Sequence, residues 1–124
     1  MRYEELMDKI ELQKRTKSFA VRVIKMARHL PNDVAGQVVG RQIVRSATSV
    51  GANYRAACRG RSRAEFSSKL GTVLEEADET LYWPEVIEEA ELLSAGKLRD
   101  LAKEANELTS IFAAGRKTLK QDNA

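Results

Sequence analysis

The residues with the clearest chemical character are six arginines in a stretch, residues 40–63, that contains no lysine and no acid. A guanidinium group binds phosphate or carboxylate through parallel hydrogen bonds. The arginines could therefore bind nucleic acid, form ion pairs with carboxylates, or line a solvated face. A solvated face usually mixes lysine, glutamate and arginine, so the first two interpretations are favoured. The candidate nucleic-acid-binding residues are Arg41, Arg45, Arg55, Arg59, Arg61 and Arg63.

Charge is segregated along the 124-residue chain, although the net charge is only +3. Residues 34–64 carry six bases and no acid, whereas residues 65–107 carry twelve acids and four bases. The acids include the run from Glu75 to Glu79, which offers carboxylate partners for the arginines. This asymmetry predicts a basic element followed by an acidic one.

The hydrophobic pattern is helical almost throughout, and no stretch alternates with the period of a strand. We expect one domain, residues 1–124, with helices at about 4–30, 33–59, 63–92 and 95–119. Asp33 and the Ser62–Glu65 capping box mark two helix starts, and Pro84 predicts a kink or break in the third helix. Short loops place neighbouring helices antiparallel, so the fold class is an all-α, up-down antiparallel four-helix bundle.

The second predicted helix has three faces. One is a core stripe that includes Ile43, Val50 and Tyr54, and a second carries small polar residues such as Asn53. The third contains Arg41, Arg45, Thr48, Ala52, Arg55 and Arg59, and Arg61 and Arg63 continue its charge into the loop. The many small residues also allow close approach from a neighbouring subunit, which predicts a homo-oligomer.

No arrangement of residues indicates catalysis. The single histidine, His29, lies at a predicted helix end, and the single cysteine, Cys58, has no companion histidine. Carboxylate-bridged metal bundles need Glu-x-x-His pairs, which this chain lacks. We therefore expect no enzyme activity, no cofactor and no metal site.

The location is also predicted from the sequence. No apolar run approaches the ~20 residues of a membrane helix, and the N-terminal stretch is not a signal peptide. One cysteine permits no internal disulfide, so we expect a cytoplasmic protein without a membrane partner.

Three stretches, GRQIVRSATSVGANYRAACRGRSRAEF, LEEADETLYW and NELTSIFAAGRKT, resemble the four-helix-bundle family encoded in intervening sequences of bacterial 23S rRNA genes. Residues 45–53 and 61–66 are the most specific part. The family is similar to the accessory variability protein of diversity-generating retroelements, a pentameric barrel that binds nucleic acid and a reverse transcriptase. The resemblance implies a ring-shaped homopentamer without known catalytic activity. Many members carry a glutamate where this chain has Ala56, so an ion pair of that glutamate is absent here.

Two functions remain open. The first is a non-enzymatic homo-oligomer that binds nucleic acid through its arginine-rich second helix, with structured RNA as the expected ligand, or that is an adaptor to a nucleic-acid enzyme. The alternative is a purely structural oligomer or protein–protein adaptor whose arginines pair with carboxylates of the third helix. The positions of the guanidinium groups relative to those carboxylates discriminate between the two.

Overall fold

The computed structural model describes the backbone of residues 3–122 and the side chains of residues 8–119. Four helices follow one another, and no strand occurs in the described part of the chain: α1 (Tyr3–Ala27), α2 (Val34–Cys58), α3 (Arg63–Glu89) and α4 (Ala95–Asp122). Each helix packs on the next, and α4 returns to contact α1. This arrangement confirms the predicted all-α four-helix bundle.

The helix starts are set by side chains that accept backbone N–H groups. Asp33 caps α2 by accepting a hydrogen bond from the Gly36 N–H at 2.8 Å, as predicted. Ser62 caps α3 by accepting from the Glu65 N–H at 3.1 Å. The Glu65 carboxylate reaches back to the Arg61 N–H at 2.6 Å, one residue further than in the usual capping box. These caps fix the two loops that lead into α2 and α3.

The C-terminal ends of α1, α3 and α4 each differ by three residues from the predicted ones, α4 continuing to Asp122, and α3 differs from the prediction at Pro84. α1 ends at Ala27, three residues before the predicted end, because His29 and Leu30 donate to carbonyls three residues back and tighten the chain into a turn. α3 ends at Glu89 and runs through Pro84 without the break we considered. Pro84 is buried, and tertiary packing of this face holds the helix although one backbone donor is missing.

The core is a continuous cluster with contributions from every helix. Its centre contains Phe19, Ile43, Val73 and Phe112, each exposed by no more than 2%. The buried residues of α1, α2 and α4 supply most of the cluster, so the faces opposite them are the ones available to solvent or to a partner.

Candidate nucleic-acid interface

The six arginines singled out in the sequence all lie on the surface. Four of them belong to α2 or to its C-terminal cap, Arg61 lies in the loop, and Arg63 is the first residue of α3. The helix period places Arg41, Arg55 and Arg59 on the outward face of α2, opposite the buried residues Ile43 and Val50. α2 thus positions the arginines as predicted, whereas their role in binding stays a prediction.

Arg45 differs from the other arginines because it pairs with α3. One terminal nitrogen of its guanidinium group lies 3.1 Å from Glu76 Oε2, and the other hydrogen-bonds to the Glu79 carboxylate. Its Nε donates to Gln42 Oε1 at 3.4 Å. The ion-pair interpretation therefore holds for Arg45.

The pKa of the Glu76 carboxyl group reflects this arrangement. Burial raises its pKa, the neighbouring Glu79 adds to the rise, and Arg45 opposes it. The hydrogen bond to Glu79 raises the pKa of Arg45 in turn. Arg45 thus favours the ionised form of Glu76, and its guanidinium group is already paired with α3.

Four arginines have no carboxylate partner within the described residues. The side chains of Arg41, Arg55, Arg59 and Arg61 are exposed and make no hydrogen bond or ion pair there. Arg63 interacts with another group, so it does not belong to this set of four. The sequence analysis asked whether the guanidinium groups pair with carboxylates of α3. Arg45 does so, and these four do not within the described chain.

α1 adds cations that the sequence reasoning did not single out. Lys14, Lys17, Lys25 and Arg28 follow the helix period, are exposed, and make no ion pair with any described side chain. The signal was present, because residues 12–30 contain six bases and no acid. Acids at either end partly offset this run, since four of the five acids of residues 1–33 lie at positions 4–11 and the fifth, Asp33, caps α2.

The outward faces of α1 and α2 lie side by side. Gly51 of α2 packs against Thr16 of α1, and a Cβ at Gly51 would lie 3.5 Å from the backbone carbonyl of Thr16. Gly40 packs against Leu30, and a Cβ at Gly40 would lie 3.3 Å from the Leu30 side chain. On its other side α1 contacts α4, where Arg15 Nε donates to Glu104 Oε2 at 3.1 Å. We call the joint outward surface the α1–α2 basic face; its seven cations are Lys14, Lys17, Lys25, Arg28, Arg41, Arg55 and Arg59.

The charges of the α1–α2 basic face gather at its two ends. The loop-end cluster, Lys25, Arg28 and Arg41, lies where Gly40 meets Leu30. The open-end cluster, Lys14, Lys17, Arg55 and Arg59, lies beside the contact of Gly51 with Thr16. Arg41 and Arg55 are fourteen residues apart on one helix, which corresponds to about 21 Å.

A cleft adjoins the open-end cluster on the side of α3. It has a volume of about 660 Å³, and its floor is formed by the small residues Ala52, Ala56 and Gly60. Arg55, Arg59, Arg61 and Lys69 supply four cations to its walls. One carboxylate, Glu65, also lines the cleft, but it accepts the Arg61 N–H. An anionic group in this cleft would meet mainly positive charge.

The other residues considered for chemistry lie elsewhere. Cys58 is a partly buried thiol next to Tyr54, and burial raises the pKa of the Tyr54 hydroxyl far above its ordinary value. Asn53 donates to the Ser49 carbonyl of its own helix at 2.9 Å. No group of three or more histidine, cysteine or acidic residues could hold a metal ion within the described chain. None of the described helices is long and apolar enough to cross a membrane.

The fold and the charge pattern define a class: a small four-helix bundle with an unneutralised basic face on two adjacent helices. The chain belongs to the 23S rRNA-intervening sequence protein family, whose model matches residues 8–114. This match confirms the resemblance found in the sequence.

A solved structure supports the same assignment. The chain is similar to a crystal structure from Bacteroides thetaiotaomicron of a protein with unknown function from the S23 ribosomal protein family. The two are 33% identical with a TM-score of 0.79, and the match covers 86% of this chain and 98% of that one. A comparison with functionally curated proteins found no match.

Proposed function

We propose that this protein is a non-enzymatic nucleic-acid-binding protein, with RNA as its expected ligand, and that the α1–α2 basic face is its contact surface. The observation that carries the proposal is the set of seven exposed cations on that face, none of which has a carboxylate partner in the described chain. Like charges held on neighbouring helix faces repel one another. A polyanion removes this repulsion, and phosphates are the group for which arginine forks are best suited.

The expected binding is electrostatic. Each phosphate neutralised by a lysine or arginine releases condensed counterions, so affinity falls steeply as salt concentration rises. The adjoining cleft, with Arg61 and Lys69, extends the surface past the end of α2. The proposal therefore places the strongest attraction at the open-end cluster.

Assembly into a ring-shaped homo-oligomer, a pentamer by resemblance, is part of the proposal. A ring would repeat the basic face on each subunit and raise the overall affinity through multivalency without any new contact. The same ring could present bound nucleic acid to a nucleic-acid enzyme, in which case the protein is an adaptor. We also propose a cytoplasmic location, which the single cysteine supports and which fits such a role.

One observation favours the alternative, a purely structural oligomer or protein–protein adaptor. Arg45 is neutralised by Glu76 and Glu79 within the chain, as a structural role for the arginines requires. If nearby subunits supplied carboxylates to Arg41, Arg55 and Arg59 in the same manner, the basic face would be an interface between copies.

The test is a titration of the protein with fluorescent RNA and DNA at about 50 mM and about 200 mM salt, with the mass measured by light scattering. We expect binding that weakens strongly between the two concentrations, and a mass that is a multiple of the monomer. The double variant Arg55→Gln/Arg59→Gln should weaken binding. Arg99→Gln/Lys103→Gln, which removes the same charge from α4, should not.

Three outcomes contradict parts of the proposal. Absence of binding even at the lower salt concentration would rule out the nucleic-acid function and leave the structural alternative. A monomer mass would rule out the ring while leaving the basic face as a contact surface. Equal weakening by both double variants would show that net charge, rather than this face, drives binding.

A further inference from the structure

We infer that the α1–α2 basic face binds the phosphate backbone of a double-stranded nucleic acid, contacts it at both charge clusters, and recognises no bases. This inference rests on the proposed function and specifies its ligand. Three features of the face carry it: two rows of cations, the absence of a stacking surface, and a width that no groove can accept.

The cations stand in two rows on two different helices. Lys14, Lys17 and Lys25 belong to α1, and Arg41 and Arg55 belong to α2. The axes of packed helices lie about 8–10 Å apart, so the two rows start from two separate, parallel lines on the surface. A duplex presents two rows of phosphates across a groove, one from each strand, whereas a single strand presents one row. Only a duplex can therefore neutralise both rows at once.

The face offers no phenylalanine, tyrosine or tryptophan ring on which an unpaired base could stack. Proteins that hold single strands combine a basic groove with exposed aromatic rings. Among these side chains in residues 8–119, Phe19, Tyr54 and Phe112 are buried, Trp83 of α3 is partly buried, and the exposed one, Tyr82, also belongs to α3. Lys9 covers the half-buried ring of Phe66, with its Nζ 4.2 Å from the ring centroid. A single strand would gain phosphate contacts alone.

The shape of the face keeps its side chains from the base edges. One helix with its side chains is about 10–12 Å wide and fills a major groove of about 12 Å. Two helices packed side by side are too wide to enter. Between the clusters lie Val21, Thr48 and Ala52, and the Thr48 hydroxyl already donates to the Val44 carbonyl at 2.7 Å. Contacts are thus confined to phosphates, which position a protein without specifying sequence.

The distance between the clusters sets a minimum length for the ligand. About 21 Å along α2 corresponds to about six base-pair steps of 3.4 Å. A duplex of that length or less can reach both clusters only with its ends, where few phosphates remain. We expect affinity to rise as the duplex is extended from about six to about twelve base pairs.

The experiment uses fluorescence anisotropy with the full chain. The probes are a DNA duplex of about 16 base pairs, an RNA duplex of equal length, each separated strand, and a duplex of scrambled sequence. We expect both duplexes to bind at least about tenfold more tightly than their strands, and the scrambled duplex to bind as well as the original.

Variants test the two clusters separately. Arg28→Gln/Arg41→Gln removes two charges from the loop-end cluster, and Lys14→Gln/Arg55→Gln removes two from the open-end cluster. If both clusters contact the same duplex, each double variant should reduce the slope of log K against log salt by up to about 1.8. The matched variant Arg99→Gln/Lys103→Gln on α4 should leave the slope unchanged.

The outcomes are distinct from those of the proposed function. Single strands that bind as tightly as duplexes, or a strong preference for one sequence, would overturn this inference while nucleic-acid binding stands. A slope reduced by only one of the double variants would overturn the two-cluster contact. No binding to any probe would overturn the proposed function as well. The comparison of probes needs only the unmodified protein, so it decides the question even if a variant fails to fold.

Discussion

Arg45 shows how residues of one helix face can differ in role because of what the next helix places beside them. It shares the arginine stripe with Arg41 and Arg55, but the antiparallel packing of α3 brings Glu76 and Glu79 to its level alone. An exposed ion pair stabilises a fold only slightly, because solvent screens it and two side chains lose freedom. Its single positive charge also offsets part of the negative charge that Glu76 and Glu79 place next to the basic face.

Substitution of Arg45 by glutamine should cause a small fall in Tm that depends on pH. Burial and the neighbouring Glu79 raise the pKa of Glu76, and Arg45 lowers it. Removal of Arg45 should therefore raise the pKa of Glu76 further. The wild-type advantage depends on the ionised form of Glu76. It should therefore be full well above the raised pKa of Glu76 and should be lost as the pH falls through that pKa.

Arg41→Gln is the matched control for this measurement, since it removes the same charge from the same face but has no carboxylate partner in the described chain. Melting curves by circular dichroism at several pH values would give the comparison. A deficit of the Arg45 variant that is equal at low and neutral pH would show that the ion pair is not its cause.

Gly36 fixes the join between α1 and α2. A Cβ added there would lie 1.8 Å from the Pro31 carbonyl oxygen, a backbone atom that cannot move aside cheaply. Gly36→Ala should destabilise the fold by about 1–3 kcal/mol. Gly96→Ala is the control, because a Cβ at that position meets nothing within 4 Å and alanine favours a helix. Urea denaturation would measure both, and an equally stable Gly36 variant would contradict the close contact.

The end of α3 contains a strained residue, Glu91, with a φ of 58°. The Leu92 N–H donates to the Ile87 carbonyl at 2.9 Å and the Glu91 N–H to the Glu88 carbonyl at 3.0 Å, a helix stop that usually uses glycine. Glu91→Gly should stabilise the protein by about 1 kcal/mol, because glycine adopts this conformation without steric cost.

Glu91→Ala separates strain from charge. It removes the carboxylate from the unfavourable C-terminal end of the helix dipole but keeps the side-chain clash. Its stability in thermal unfolding should lie between those of the wild type and of Glu91→Gly. An alanine variant as stable as the glycine variant would show that charge, and not backbone conformation, limits this helix end.

The helices and the arginine face were predictable because both depend on local order in the sequence. Asp33, Ser62 and the 3.6-residue period determine where α2 and α3 start and which side is buried. The joint face was not predictable, because it depends on which helices become neighbours. The pairing of Arg45 with Glu76 spans 31 residues, and the cations of α1 become part of the site only when Thr16 packs beside Gly51.

At the scale of the whole molecule, the bundle is not equally tight on all sides. Among the residues that the structure describes, α2 packs extensively on both α1 and α3, and α3 on α4, but α1 and α4 touch much less. That seam contains the bidentate pair of Arg15 with Glu104, whose side chains are exposed by 30% and 16%, and Glu107 lies 4.0 Å from the same guanidinium group. Since α1 supplies half of the basic face, the seam determines how firmly that half is held.

Arg15→Met should loosen α1 without unfolding the other three helices. Loss of a partly buried, charge-assisted pair costs about 1 kcal/mol, and methionine retains the apolar stem. The least stable unit of a fold opens locally before the rest. Hydrogen exchange, followed by mass spectrometry, should therefore become about fivefold faster in α1 and remain nearly unchanged in the middle of α2 and α3. Arg22→Met, an exposed arginine of α1 without a partner among the described residues, should leave exchange unchanged. Acceleration spread evenly over all four helices would instead show that the seam opens only when the whole bundle unfolds, and that both rows of the basic face are held as one rigid surface.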